Sequence, residues 1–233
     1  MAPPTLAAID WAAVKLVVFD LDGTLYEQRP VRLGMAGDLL LHSLRTRSLR
    51  DFQLVRAYRK LREELAEAGE PSFMDALHAQ LGARHRRAPH EVAALAEEWL
   101  ERRPLKRLLG ARIAGADALF TALRRSGRKV GVWSDYPVAH KLASLGLEAD
   151  YVCAATDPEI ARLKPDPTGL LRMLEQANVR PHEALMIGDR PERDGEAAAR
   201  ACVPFLLRTR KSIAEHHCAA DFQDPLFGAV LSC

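Results

Sequence analysis

Two carboxylates stand two residues apart in Val17-Val18-Phe19-Asp20-Leu21-Asp22-Gly23-Thr24-Leu25. The short apolar run before them suits a strand buried on both faces, so both acids arrive at its C-terminal edge. In open α/β sheets that edge is where ligands bind. Two carboxylates in one turn repel each other, so a cation is expected nearby. Gly23 permits a sharp backbone turn. One carboxylate can attack phosphorus while the other manages a proton. Taken alone, the pair reads more readily as a solvated turn at the end of a strand.

Later apolar runs change that balance. Val130-Gly131-Val132-Trp133 leads into Ser134 and Asp135. Arg162-Leu163-Lys164-Pro165-Asp166-Pro167 places one lysine between prolines and ahead of a helical pattern. Leu185-Met186-Ile187 leads into Gly188-Asp189, with Asp194 following. A hydroxyl, an ammonium and further carboxylates therefore collect at one sheet edge. Hydroxyl and ammonium suit phosphate oxygens, and carboxylates suit Mg²⁺.

The elements that must position them alternate. Besides these runs, Tyr151–Ala154 and Pro204–Leu207 read as buried strands. Helical patterns fall at Ala116–Arg125, Val138–Leu145, Thr168–Gln176 and Glu192–Ala201. Alternating strand and helix predicts a doubly wound α/β fold with a parallel sheet. One interval breaks the rhythm. From about Arg29 to Arg103 the chain reads as entirely helical, far too long for an ordinary crossover. Leu33, Ala36, Leu40 and Leu44 share one predicted apolar face; Val55, Tyr58, Leu61 and Leu65 share another. Val92, Leu95, Ala96 and Trp99 repeat the spacing after Pro89, a suitable first-turn residue. Gly69-Glu70-Pro71 and Gly82–Pro89 read as breaks, giving an insert of about four helices.

Composition limits the partners. The 233 residues carry 33 Lys and Arg against 31 Asp and Glu, too balanced for a dedicated nucleic-acid binder. At 48% hydrophobic the chain can bury a core. No run approaches the roughly 18 apolar residues of a membrane helix, and the N-terminus does not read as a signal peptide. Cys153, Cys202, Cys218 and Cys233 form no CxxC, which suggests reduced thiols and a cytoplasmic protein. His216 and His217 are adjacent and cannot easily face one ion, so they are not expected to bind metal.

In these segments the sequence resembles the haloacid-dehalogenase-like hydrolase superfamily. The resemblance rests on four motifs in order: DLDGT, a hydrophobic strand ending in Ser134, Lys164 in KPDP, and Gly188-Asp189 followed by Asp194. It implies a Rossmann-like core at 1–26 and 105–233, with 27–104 as a helical cap of the C1 type. It also implies roles. Asp20 resembles the nucleophile that forms an aspartyl-phosphate. Asp22 resembles the acid that protonates the leaving alcohol and then activates water, and its backbone carbonyl resembles a Mg²⁺ ligand. Ser134 and Lys164, with Thr24, resemble the phosphate-binding residues, and Lys164 also restrains the charge of Asp20. Asp189 resembles the second protein carboxylate on Mg²⁺, beside Asp20, and Asp194 the outer acid that orients water or Lys164.

Within the superfamily, dehalogenases lack the second acid of the first motif, so Asp22 argues against dehalogenation. Phosphonatases use a cap lysine, whereas here the cap holds only Lys60, set among arginines. Asp135 stands where many relatives have Asn. The cap is expected to set substrate choice. Residues 27–62 hold nine Lys and Arg against three acids, and 63–104 hold five against nine. An ordinary solvated face accounts for the basic half; the sharper reading assigns Arg45, Arg47, Arg50 or Arg56 to an anionic substrate. Trp99 and Tyr58 read as core.

The expected protein is a Mg²⁺-dependent phosphomonoesterase acting on a small phosphorylated metabolite. It is expected to be a monomer or homodimer without nucleic-acid or membrane partners. Two alternatives stand: a sugar-phosphate mutase using the same aspartyl-phosphate, and a non-enzymatic phospho-accepting or binding protein. Receiver domains use similar residues but are about half this length.

Overall fold

The computed structural model describes residues 9–69 and 73–232. The segment 1–8, the Glu70-Pro71 part of the first expected break, and Cys233 lie outside the described residues. Leu16–Phe19 forms β1, four apolar residues that are all buried. It is followed by β2 (Lys129–Ser134), β3 (Tyr151–Ala154), β4 (Ala184–Gly188), β5 (Phe205–Arg208) and β6 (His217–Ala219). All neighbours pair in parallel, in the order β3-β2-β1-β4-β5-β6. From β1 the chain moves outward first to one side and then to the other. The crevice created by that reversal opens at the C-terminal ends of β1 and its neighbours.

Alternation along the strands feeds two cores. Val17 and Phe19 point to one face with Val132 and Ile187, and Leu16 and Val18 to the other with Trp133 and Met186. Five helices follow β1 in succession: α1 (Gln28–Thr46), α2 (Arg50–Glu67), α3 (Phe73–His85), α4 (Pro89–Ala96) and the short α5 (Leu105–Leu108). A π-helical stretch, Glu97–Arg102, continues α4. After them come α6 (Ala116–Arg125), α7 (Ala139–Ser144), α8 (Thr168–Ala177), α9 (Glu196–Arg200) and α10 (Gly228–Leu231). Residues of α6 and α10 cover the first face, and residues of α8 and α9 the second.

The doubly wound parallel sheet is as the sequence predicts, with four differences. β6 was not anticipated, because three residues with two half-exposed side chains carry no apolar run. β5 starts one residue later than expected: Pro204 has no N–H to donate, and only its carbonyl joins the ladder, accepting from Met186 at 2.9 Å. α3 runs through Gly82 to His85, so the second break is confined to Arg86–Ala88. The largest correction concerns α1, which is turned about its axis from the expected orientation. Leu33, Leu40 and Leu44 are 64%, 53% and 68% exposed, while Val31, Met35, Leu39 and Ser43 are buried.

The rotation of α1 has a polar cause. Arg107 lies so close across Gly34 that a Cβ there would collide with its guanidinium stem. The same guanidinium bonds Asp38 at 2.8 Å, one turn further on. Gly34 and Asp38 therefore fix which side of α1 faces α5. Among the described residues, no helix is long and apolar enough to cross a membrane. Cys153, Cys202 and Cys218 are free thiols.

The corrected face of α1 makes a direct prediction. Met35→Ala should lower unfolding free energy by about 2–5 kcal/mol. Leu44→Ala should change it by less than about 0.5 kcal/mol. Urea unfolding midpoints of the two variants decide between the faces, and the reverse ranking would restore the expected one.

Candidate active site

The loops after β1, β2 and β4, together with the segment before α8, meet at one cleft of about 380 Å³. Asp20 stays attached to the sheet, donating its N–H to the Ile187 carbonyl at 2.8 Å. The chain then turns at Gly23, whose φ of 110° lies in the region that favours glycine. Space imposes the same residue, because a Cβ on Gly23 would overlap the Asp189 carboxylate. The glycine of the first motif is thus what lets Asp189 approach the turn that carries Asp20 and Asp22.

Lys164 organises the floor of the cleft. Its ammonium is buried and donates to Asp20 Oδ1 at 2.5 Å and to Asp194 Oδ1 at 2.7 Å. The other Asp20 oxygen accepts the Thr24 hydroxyl at 3.0 Å. The backbone around Lys164 is clamped as well: its N–H donates to Asp135 Oδ1 at 3.0 Å, and its carbonyl accepts from Arg193 Nη1 at 2.6 Å. This gives position 135 a definite hydrogen-bonding task, which its sequence alone left open. Desolvation alone would lower the Lys164 pKa, but Asp194 and Asp20 outweigh it and hold the ammonium charged.

A second group forms around Asp22. Its Oδ2 accepts from Ser134 Oγ at 2.9 Å, and its Oδ1 accepts from Lys141 Nζ at 2.5 Å and from the Tyr26 hydroxyl. Its backbone carbonyl accepts from Gln28 Nε2. Burial pushes the Asp22 carboxyl up, but Lys141, Tyr26 and Ser134 together bring it below the ordinary range. Asp20 goes the other way: burial pushes it well up, against the opposing pull of Lys164.

The sequence-predicted residues therefore divide into two sets. Asp20, Thr24, Lys164 and Asp194 are bonded together, and Asp189 lies beside them. Asp22 and Ser134 form a separate pair across the cleft. Thr24 is fully buried and reaches only Asp20, away from the cleft surface. Lys141 was missed. It stands on the apolar face of α7 that Val138 and Leu142 mark, which is the signal that could have found it. Arg62 was missed too: it leaves α2 to donate to the Asp135 carbonyl, with its guanidinium 4.0 Å from the Tyr136 ring centroid. Arg45, Arg47, Arg50 and Arg56 do not line the cleft; Arg32, Arg59, Lys60 and Arg62 do. The basic half of the insert does face the site, but through other residues of the same two helices.

A divalent cation fits this floor. Asp20, Asp189 and Asp194 each offer a carboxylate oxygen, all within 4.8 Å of one another. Asp189 Oδ1 is buried and has no hydrogen-bond partner. On the floor itself, the carboxylates of Asp20, Asp22 and Asp194 are bonded by two ammoniums, Lys141 and Lys164, and Asp189 is bonded by neither, an excess of acid over directly bonded cations. Hard oxygen donors with that excess suit Mg²⁺.

Comparison with known proteins agrees with this geometry. The family model described as haloacid dehalogenase-like hydrolase matches residues 14–201. Phosphoglycolate phosphatase of Rhodospirillum rubrum is 29% identical over 220 residues, covering 90% of this chain and 87% of that one. Glyceraldehyde 3-phosphate phosphatase of Methanopyrus kandleri is 28% identical over 195 residues, covering 81% of each. Among solved structures, a 2-haloacid dehalogenase from Pseudomonas syringae superposes with a TM-score of 0.65 at 21% identity, covering 94% of this chain and 98% of that one. At that identity the superposition shows the shared fold.

Burial and the nearby Asp194 push Asp189 up to about 6. Its folded pKa exceeds the unfolded one, so the stability it allows is present at low pH and lost as pH rises from about 4 through 6. Metal-free protein should accordingly melt at lower temperature at pH 7 than at pH 5. Mg²⁺ should reverse the loss at pH 7, and Asp189→Asn should reduce the difference, with Asp20 contributing the remainder. Thermal melts with EDTA and with Mg²⁺ test this; a metal-free melting temperature flat across that range would refute it.

Proposed function

The chain belongs to the haloacid dehalogenase-like hydrolases, and from that premise we propose that it is a Mg²⁺-dependent phosphomonoesterase working through an aspartyl-phosphate on Asp20. The observation that carries the reading is the buried Asp20 carboxylate, fixed by Lys164 on one oxygen and Thr24 on the other, with Asp22 facing the same cleft. The two curated relatives are phosphatases of small phosphorylated compounds, which supports a substrate of that kind. The helices of residues 27–104 serve as a cap over the leaving group, and residues 1–26 and 105–233 as the core.

Chemistry follows from the contacts. An Asp20 oxygen attacks phosphorus, the bond to the ester oxygen breaks, and that oxygen takes a proton from Asp22. A water then attacks the phosphoryl group, gives its proton to Asp22 and releases phosphate, which restores Asp20. Asp189, Asp20 and the Asp22 carbonyl would hold Mg²⁺, with Asp194 behind them. Bound there, the cation offsets the negative charge of the transferring group. Lys164 neutralises the same charge and keeps Asp20 aligned.

Asp22 cannot act as an acid while Ser134, Lys141 and Tyr26 hold it ionised. A phosphoryl oxygen that takes the Ser134 hydroxyl frees Asp22 Oδ2, which takes up the proton carried by the phosphate ester monoanion and passes it to the leaving oxygen. Substrate binding and arming of the acid are thereby the same event. An ester to carbon would need no such proton, so this arrangement favours phosphate esters over halogenated acids.

Asp20→Asn should lower turnover of p-nitrophenyl phosphate at least about a thousandfold while the protein still folds. Retained turnover would remove Asp20 from the nucleophile role. EDTA should stop turnover and Mg²⁺ restore it, and a chelator-insensitive enzyme would contradict the metal assignment.

A further inference from the structure

The cationic groups around the cleft are almost all committed. Lys164 and Lys141 are held by Asp20, Asp194 and Asp22. Arg62 donates to the Asp135 carbonyl, and Arg190 and Arg193 both grip Glu63. Lys60 reaches Glu64 at 3.6 Å from an exposed position. Arg32 on α1 and Arg59 on α2 are the exceptions. Both line the cleft, and among the described residues neither makes a hydrogen bond or an ion pair. They are also close enough to repel each other. Both side chains are more than a third exposed; partial desolvation, and after the opposing pull of Tyr136 the Arg32 charge, lower the Arg59 pKa. Asp22 acts on Arg59 and Glu63 on Arg32 through space, but neither guanidinium is bonded, so both keep donors open to an incoming anion.

The phosphoryl end of a substrate is already provided for by Asp20, Ser134 and Lys164. Arg32 and Arg59 come from the insert helices, on the side where a leaving group would extend. We propose that the substrate carries a second anionic group on its leaving portion, and that Arg32 and Arg59 bind it. Paired guanidinium forks match the oxygens of a carboxylate or a second phosphate. The cleft, at about 380 Å³, suits a compound of few carbons. The inference rests on the phosphomonoesterase reading for the position of the phosphoryl end.

The test measures binding by calorimetry to the Mg²⁺-loaded protein, using phosphonates that cannot be hydrolysed. 3-Phosphonopropionate and 1,3-propylenediphosphonate each carry a second anion, and propylphosphonate does not. One or both of the first two should bind at least about tenfold more tightly than propylphosphonate, and the stronger identifies the second group as carboxylate or phosphate. The double variant Arg32→Gln/Arg59→Gln should erase that preference, whereas Arg45→Gln, on the exposed part of α1, should keep it. Absence of any preference, including absence of binding by all three, overturns the proposal, as does a preference that survives the double variant. Turnover of p-nitrophenyl phosphate, measured in parallel, reports on the phosphomonoesterase reading alone. Turnover without preference sinks only the second-anion site, and preference without turnover sinks only the hydrolytic reading.

Discussion

A lysine that is 1% exposed must have its charge answered from inside the protein, and Lys164 has it answered by Asp20 and Asp194 together. Removing either partner would strand charge in a dry site, so the three loops that carry these residues are tied to one another. The loop after β1, the segment before α8 and the turn after β4 acquire their relative positions from this bond set. Gly188 completes the arrangement, because a Cβ there would collide with the Asp194 side chain. Sheet topology brings the loops to one edge, and Lys164 locks them into register.

That lock leaves the floor with more carboxylate than directly bonded cation. Asp189 faces the floor with an unpartnered oxygen, where a cation belongs. Asp22, only two residues from Asp20, is drawn to a separate set of donors. Two carboxylates in one short motif thus experience opposite influences. Burial pushes Asp20 up, and three donors hold Asp22 down. Environments that drive a pair apart in this way are what assign different chemical tasks to identical groups.

The insert helices contribute by contact across the cleft. Glu63 on α2 binds Arg190 and Arg193, which belong to the turn that carries Asp194. Arg62, its neighbour, reaches the strand end at Asp135. Two adjacent residues of one helix thereby touch two of the loops that form the floor. Movement of α2 would be felt at Asp135 and at the turn that carries Asp194, which couples the insert helices to the floor of the cleft.

Much of this was legible in the chain itself. Buried strands read as short apolar runs because a parallel sheet covered on both faces leaves no polar side. The acidic and basic groups stood at the ends of those runs, so their meeting at one edge followed from strand direction alone. What the sequence could not supply were choices among near-equal alternatives. Either of two stripes on α1 could have faced inward, and Gly34 against Arg107 with Asp38 beside it made the selection. Any of nine basic residues in 27–62 could have reached the cleft, and helix rotation selected Arg32 and Arg59 over Arg45 and Arg56. Lys141 belongs to none of the four motifs, and the packing of α7 placed it on Asp22. Sequence determined which chemistry is present and at which edge, because residue type and strand order are local facts. Tertiary structure decided which charges meet and which remain unpaired, because that depends on helix rotation and on the burial that makes an unmatched charge costly.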